Sequence, residues 1–384
     1  MKQLVLLYWG CVFLMYLSEV YHPVDVQIEG EQTGKYHFLR RRSDLFMVIV
    51  IAWMTCFSFL RTSYNDTVNY IMYFRDSIPV GQFLEEGGLL DWTGNPLSML
   101  YRYFIHDLTD NYHIYFFFPA VLNSYAIIKL FKNYSVSPCF SMIVFMSLGT
   151  YVTYMASLKQ CMALFFLMLS IPYAVDKKYF KFFLLVFTAI LFHAHSFTFL
   201  FLPLLLGKPW NKTTWIIIIA ALFSMATYDS TLGAFMTYAQ SLGANVAENE
   251  VFDDHSINAI RVLVYWVPAI LALIFKRRLF EDSTKSENLF VNMSIVSATI
   301  LSIGLVEGGN LFGRMAANFE FAAAIALPWI VKKLFTRQSA QFVTLMAAIL
   351  YFGYFYFEFG ITKDFAHDYA AISLWQFIVS LFGG

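Results

Sequence analysis

Five places in this chain carry charged or amide side chains inside or at the edge of long apolar runs. Such groups are costly to keep there and usually face a cavity or a partner. The most informative is Glu307-Gly-Gly-Asn310-Leu-Phe-Gly-Arg314-Met-Ala-Ala-Asn318. Arg314 and Asn318 are four residues apart, so on a helix a guanidinium and an amide share one face and point together into the bundle. Glu320 lies deeper, where it would neutralise a cation. His193-Ala-His195-Ser196 offers two imidazoles suited to proton transfer near neutral pH, which on an extended tip would point to different faces. Lys159-Gln160 reads equally as an anchor on a tight turn or as part of a polar site. Arg261 sits at the mouth of its own apolar segment, with Asp253 and Asp254 as its bland partners. Arg61-Thr-Ser-Tyr-Asn-Asp66, taken alone, reads as a solvated loop in which Asp66 caps a helix containing Tyr70 and Phe74.

Arg61, Lys159, Arg261 and Arg314 together suit a polyanion. A diphosphate needs several cationic donors, and the planar fork of arginine grips two oxygens at once. Gln160 would join that diphosphate set, while Tyr70, Asn310 and Asn318 would line the substrate pocket. Asp66, His193 or His195 would take a proton from a hydroxyl. Cys11, Cys56, Cys139 and Cys161 show no CxxC spacing and no neighbouring histidine, so neither a disulfide framework nor a metal centre is expected. No cofactor and no nucleic-acid partner is expected either.

The elements that must position these residues are membrane segments. Of the 384 residues 59% are hydrophobic and 14% charged, and the mean hydropathy is +0.59. That leaves too little polar surface to coat a water-soluble globule, so the expected solvent is the lipid bilayer. Apolar runs fall near 4 to 20, 45 to 60, 112 to 130, 138 to 156, 161 to 175, 180 to 206, 213 to 228, 259 to 275, 288 to 306, 311 to 331 and 340 to 358. The basic clusters Arg40-Arg41-Arg42, Lys129 with Lys132, Lys177-Lys178 with Lys181, Lys276-Arg277-Arg278, and Lys332-Lys333 with Arg337 belong inside by the positive-inside rule. Residues 61–111 carry seven acids against three bases, and residues 229–258 five acids and no Lys or Arg, so both are outer loops.

Segment 180–206 must then be two short crossings, because a single one would put Lys276-Arg277-Arg278 on the wrong side. Residues 180–192 would span only about 20 Å of a core roughly 30 Å thick, so the hairpin lies beneath a thinned or wet depression with His193 and His195 at its tip. The expectation is one all-α polytopic membrane domain over residues 1–384, with about twelve crossings and both termini outside. Residues 373–382 are too short to span and are placed on the outer interface.

This arrangement resembles the EpsG-like branch of the Wzy-type polysaccharide polymerases over roughly residues 45–335. The resemblance rests on Arg61, Asp66, Tyr70 and Phe74 after an early span, Asn95-Pro96 in the long outer loop, Lys159-Gln160 followed by Ala163, the hairpin tip His193 to Ser196, and Arg314 on a late helix. The chain departs from that pattern in having Lys159 where arginine is usual and Asn65 where glycine commonly precedes the acid. The resemblance implies a fold similar to lipid-linked sugar transferases (GT-C-like) in a bacterial inner membrane. It implies transfer of a growing glycan from undecaprenyl diphosphate to the next lipid-linked repeat unit, for O-antigen or capsule, on the periplasmic face, with a chain-length regulator and a flippase as neighbours. The alternatives weighed against it are a lipid-linked oligosaccharide flippase, which should show two similar halves, an O-antigen ligase, which uses the same donor, and a eukaryotic endoplasmic-reticulum mannosyltransferase, in which Asn65-Asp66-Thr67 would be a glycosylation sequon.

Overall fold

A computed structural model describes residues 1–21, 43–91, 94–227, 256–306, 308–363 and 365–382. Arg40-Arg41-Arg42, most of the acidic segment 229–258 with Asp253 and Asp254, and Glu307 lie outside the described residues. The described chain is built from helices, apart from a two-stranded antiparallel pairing of Arg61–Ser63 with Ala370–Ala371.

Six of these helices are long and apolar enough to cross a membrane: Lys2–Tyr21, Tyr112–Tyr134, Leu158–Val175, Lys285–Ile303, Gly309–Leu334 and the continuous Arg337–Thr362. Pro138–Ser147 and Thr150–Ala156 meet that standard only as a pair, bent by 59°. The bend sits at Gly149, whose φ of 73° suits glycine and where a Cβ would meet the Phe359 ring at 2.3 Å. Five shorter apolar helices occupy the remaining runs: Leu45–Phe59, Tyr179–Phe192, Ala194–Leu206, Lys212–Ala226 and Ala259–Ile274.

Gly309–Leu334 is the central helix. Ala316, Ala317, Ala322, Ala323, Ala324 and Ala326 are all buried on it, and such small side chains let neighbouring helices approach closely where lipid supplies no hydrophobic drive between them. The described basic clusters gather at its C-terminal end. Lys332 pairs with Glu19 at 3.5 Å and donates to the Val136 carbonyl at 2.8 Å, and Lys333 pairs with Asp282. Lys276 donates to the Trp210 carbonyl at 2.6 Å, and Lys132 to Ser43 at 3.1 Å. These bonds stitch five inter-helix turns into one face of the molecule.

Segment 180–206 leaves that face and returns to it. The outgoing arm is the α-helix Tyr179–Phe192, and the return arm, Ala194–Leu206, is a 13-residue 3₁₀ helix. Runs of 3₁₀ beyond a few residues are uncommon, but this geometry rises ~2.0 Å per residue and gives the return arm a length of about 26 Å. A short sequence thereby reaches further than an α-helix of equal length would.

The described part of segment 61–111, expected from sequence as an outer loop, contains helices Thr67–Arg75, Val80–Glu85 and Pro96–Leu108. The C-terminal helix Leu374–Leu381 packs beside it, Phe377 meeting the Phe59 ring edge-on at 4.9 Å.

Candidate functional site

At the N-terminal end of the Gly309–Leu334 helix, away from the basic turns, a cavity of about 480 Å³ opens between elements far apart in sequence. It is lined by Asp66, Gln160, Arg261, Asn310 and Arg314, five of the residues singled out from sequence. Glu358 and Lys363, which sequence reading passed over, line it too.

Each is placed by a local feature. Asn65 has φ 47°, in the left-handed region that glycine and asparagine tolerate best, so asparagine meets the same backbone demand that glycine would here. Asp66 occupies the position before helix Thr67–Arg75 but makes no side-chain capping bond, contrary to the bland sequence reading. Thr67 bonds the Tyr64 carbonyl instead, at 2.5 Å, and Asp66 lines the cavity.

Arg261 stands in the first turn of Ala259–Ile274, with Nη2 3.0 Å from Oε1 of the buried Glu320. The acid suggested as a charge neutraliser is therefore its partner. Gln160 donates to the Arg314 main-chain carbonyl at 2.6 Å and lies 3.4 Å from Asn318 Oδ1. Among the described residues, no carboxylate lies within ion-pair distance of the Arg314 guanidinium.

Glu358 lies in a π-helical turn, Phe357–Thr362, that ends the long helix beginning at Arg337, and Lys363 directly follows it. The Lys363 amide donates to the Glu358 carbonyl five residues back, and its ammonium pairs with Glu358 Oε1 at 2.9 Å. Such turns frequently mark functional positions. Burial and the nearby Arg261 charge push the Lys363 ammonium below its usual range. The available signal was an acid at the end of an apolar run with a lysine five residues on.

The histidine tip lies on the other side of Gln160 and Asn318. Only His193 has extended backbone, and the 3₁₀ helix begins at Ala194, so the rings of His193 and His195 do not diverge: they hydrogen-bond at 3.1 Å. Asn318 Nδ2 donates to the His195 carbonyl at 2.8 Å and to Thr198 at 3.0 Å, while the Ala194 amide donates to Asn95 Oδ1 at 2.9 Å. Asn95-Pro96 and the Arg314 helix thus clamp the tip from two sides, and Arg314 is near enough to act electrostatically on both imidazoles.

Six predicted residues do not line the cavity: Asn318, His193 and His195, which lie behind Gln160, and Arg61, Lys159 and Tyr70. Arg61 is fully buried, donating to Thr67 at 2.9 Å and to the Ser58 carbonyl at 2.5 Å, with its guanidinium 4.5 Å over the Phe116 ring. Lys159 is half-buried and close enough to His193 to influence its charge. Tyr70 is buried with its hydroxyl beside Ser157 and the Lys159 backbone, and burial pushes its phenol up. Of the four cations proposed as one anion site, the fold therefore brings Arg261 and Arg314 to the cavity and leaves Arg61 and Lys159 off it. Among the described residues, no three His, Cys, Asp or Glu side chains are arranged to hold a metal ion.

The fold and site define a helical membrane protein with a polar, cation-bearing cavity at one end of its bundle. The sequence model of the EpsG family matches residues 44–370, and the chain belongs to that family. The family is one of glycosyltransferase-like polysaccharide polymerases, which supports an enzyme of that broad kind. Neither the curated proteins nor the solved structures give a significant match.

Proposed function

We propose that this protein is a polysaccharide polymerase. It transfers a growing O-antigen or capsular glycan from undecaprenyl diphosphate to the next lipid-linked repeat unit, on the periplasmic face of a bacterial inner membrane. The supporting observation is the convergence of Asp66, Gln160, Arg261, Asn310 and Arg314 on one cavity, opposite the basic face. In this reading the chain crosses the membrane twelve times, with both termini outside and a fold akin to lipid-linked sugar transferases.

The acceptor hydroxyl oxygen attacks the anomeric carbon of the donor glycan. The bond from that carbon to the diphosphate oxygen breaks, and its electron pair leaves with undecaprenyl diphosphate. Arg314 binds the leaving charge, because its cation is held in place and has no acidic partner among the described residues. Arg261 is neutralised by Glu320 and contributes less. The hydroxyl proton passes to a carboxylate on the cavity wall, where Asp66 and Glu358 both stand, or to the His193–His195 pair through the Gln160–Asn318 partition. Arg61 and Lys159 support the site from behind: Arg61 braces the Asp66 turn, and Lys159 adds positive potential at the tip.

The test is the glycan banding pattern of a deletion strain carrying wild type or Arg314→Ala, with membrane levels checked by blot. Collapse of the ladder to a single repeat unit is the expected result. Loss of even that unit would point to flipping or ligation and overturn the polymerase reading.

A further inference from the structure

The cavity wall carries two kinds of polar group. On one side Arg314 presents a cation with no carboxylate partner among the described residues, fit for phosphate. On the other, Glu358 is 2% exposed, with Oε1 held by Lys363 and Oε2 buried without a hydrogen-bond partner among the described residues. Arg261, which also lines the cavity, has its Nε likewise unpartnered among the described residues. Buried donors and acceptors are nearly always satisfied, so orphans of both kinds at a cavity wall indicate that a ligand completes them. A diphosphate offers acceptors only and would be repelled by Glu358. A sugar ring offers hydroxyls, which donate and accept, and matches this mixed set.

We infer that Glu358 is the residue that receives the attacking hydroxyl of the acceptor sugar and takes its proton. This rests on the polymerase reading above. The hydroxyl donates to Oε2 while Lys363 fixes the other oxygen. As the carbon–oxygen bond to the anomeric carbon forms and the bond to the diphosphate breaks, the proton moves to Oε2. Asp66 stands nearer the solvent, at a helix start, and is only half-buried. Gly149 supports the arrangement, since its lack of a Cβ admits the Phe359 ring next to Glu358.

The experiment uses purified full-length protein in liposomes, with lipid-linked repeat units extracted from the deletion strain as substrate. Glu358→Gln, isosteric and unable to take a proton, is expected to lose polymerisation at least 100-fold while binding the repeat units within about threefold of wild type, a loss in the range that general-base catalysis supplies. Glu358→Asp is expected to recover part of the rate. Activity of Glu358→Gln equal to or above that of Glu358→Asp would overturn the inference. Wild type is also treated with dicyclohexylcarbodiimide, so that a poorly accumulating variant does not decide the matter. Repeat units should block adduct formation at Glu358, and labelling they fail to block would overturn the inference. Wild type that makes no polymer from these units would sink the polymerase reading itself, whereas active wild type beside active Glu358→Gln would sink only the role of Glu358.

Discussion

Charge pairing decides what each cation in this protein can do. Arg261 and Lys363 each face a carboxylate at 2.9–3.0 Å, and Arg61 gives Nε to Thr67 and Nη1 to Ser58, while its Nη2 is buried without a partner among the described residues. Only Arg314, among the described residues lining the cavity, keeps its guanidinium clear of acids, and so the proposed phosphate role falls to it. Arg61 serves a different purpose: it satisfies carbonyl and hydroxyl groups where helix Leu45–Phe59 gives way to the strand Arg61–Ser63. Arg61→Lys keeps the charge but loses the fork and the stacking on Phe116, and is expected to cost about 2 kcal/mol of stability. The measurement is thermal unfolding in detergent, alongside repeat-unit affinity; affinity should stay within about threefold. A large loss of affinity without loss of stability would return Arg61 to the list of phosphate ligands.

Two irregular elements do the positioning. The 3₁₀ arm Ala194–Leu206 carries the chain from the histidine tip back to the basic face with few residues, and the π turn Phe357–Thr362 brings Glu358, and Lys363 just after it, to the cavity. The π turn depends on the break at Gly149. Gly149→Ala places a Cβ at a left-handed position and against Phe359, costing roughly 3 kcal/mol from the two effects together. Because Phe359 adjoins Glu358, polymerisation should fall further than the loss of folded protein explains. Specific activity per folded molecule, from the liposome assay normalised by size-exclusion yield, checks this; an unchanged value would uncouple the bend from the site.

At the scale of the whole molecule, the stitching of Lys132, Lys276, Lys332 and Lys333 to neighbouring turns defines one face, and the cavity lies at the other. The topology that follows is testable with an impermeant maleimide on cells expressing single-cysteine variants in a background without the four native cysteines. Asp110→Cys should label in spheroplasts, whereas Lys177→Cys and Arg278→Cys should label only after lysis. Labelling of Lys177→Cys from outside would invert the assignment.

Charge distribution along the sequence marked the apolar segments and the break within 180–206, because burying charge in lipid is so costly that spacing alone records it. It also marked Arg314, Asn318 and Gln160, whose chemistry is out of place in an apolar run. Tertiary structure alone decided which cations meet. Arg61 and Arg314 look equivalent as residues, yet one is buried beside its own turn and the other opens onto a cavity, a difference set by backbone path. The contact between His193 and His195 and the arrival of Glu358 depend on 3₁₀ and π geometry, which the apolar pattern of these segments does not distinguish from an α-helix.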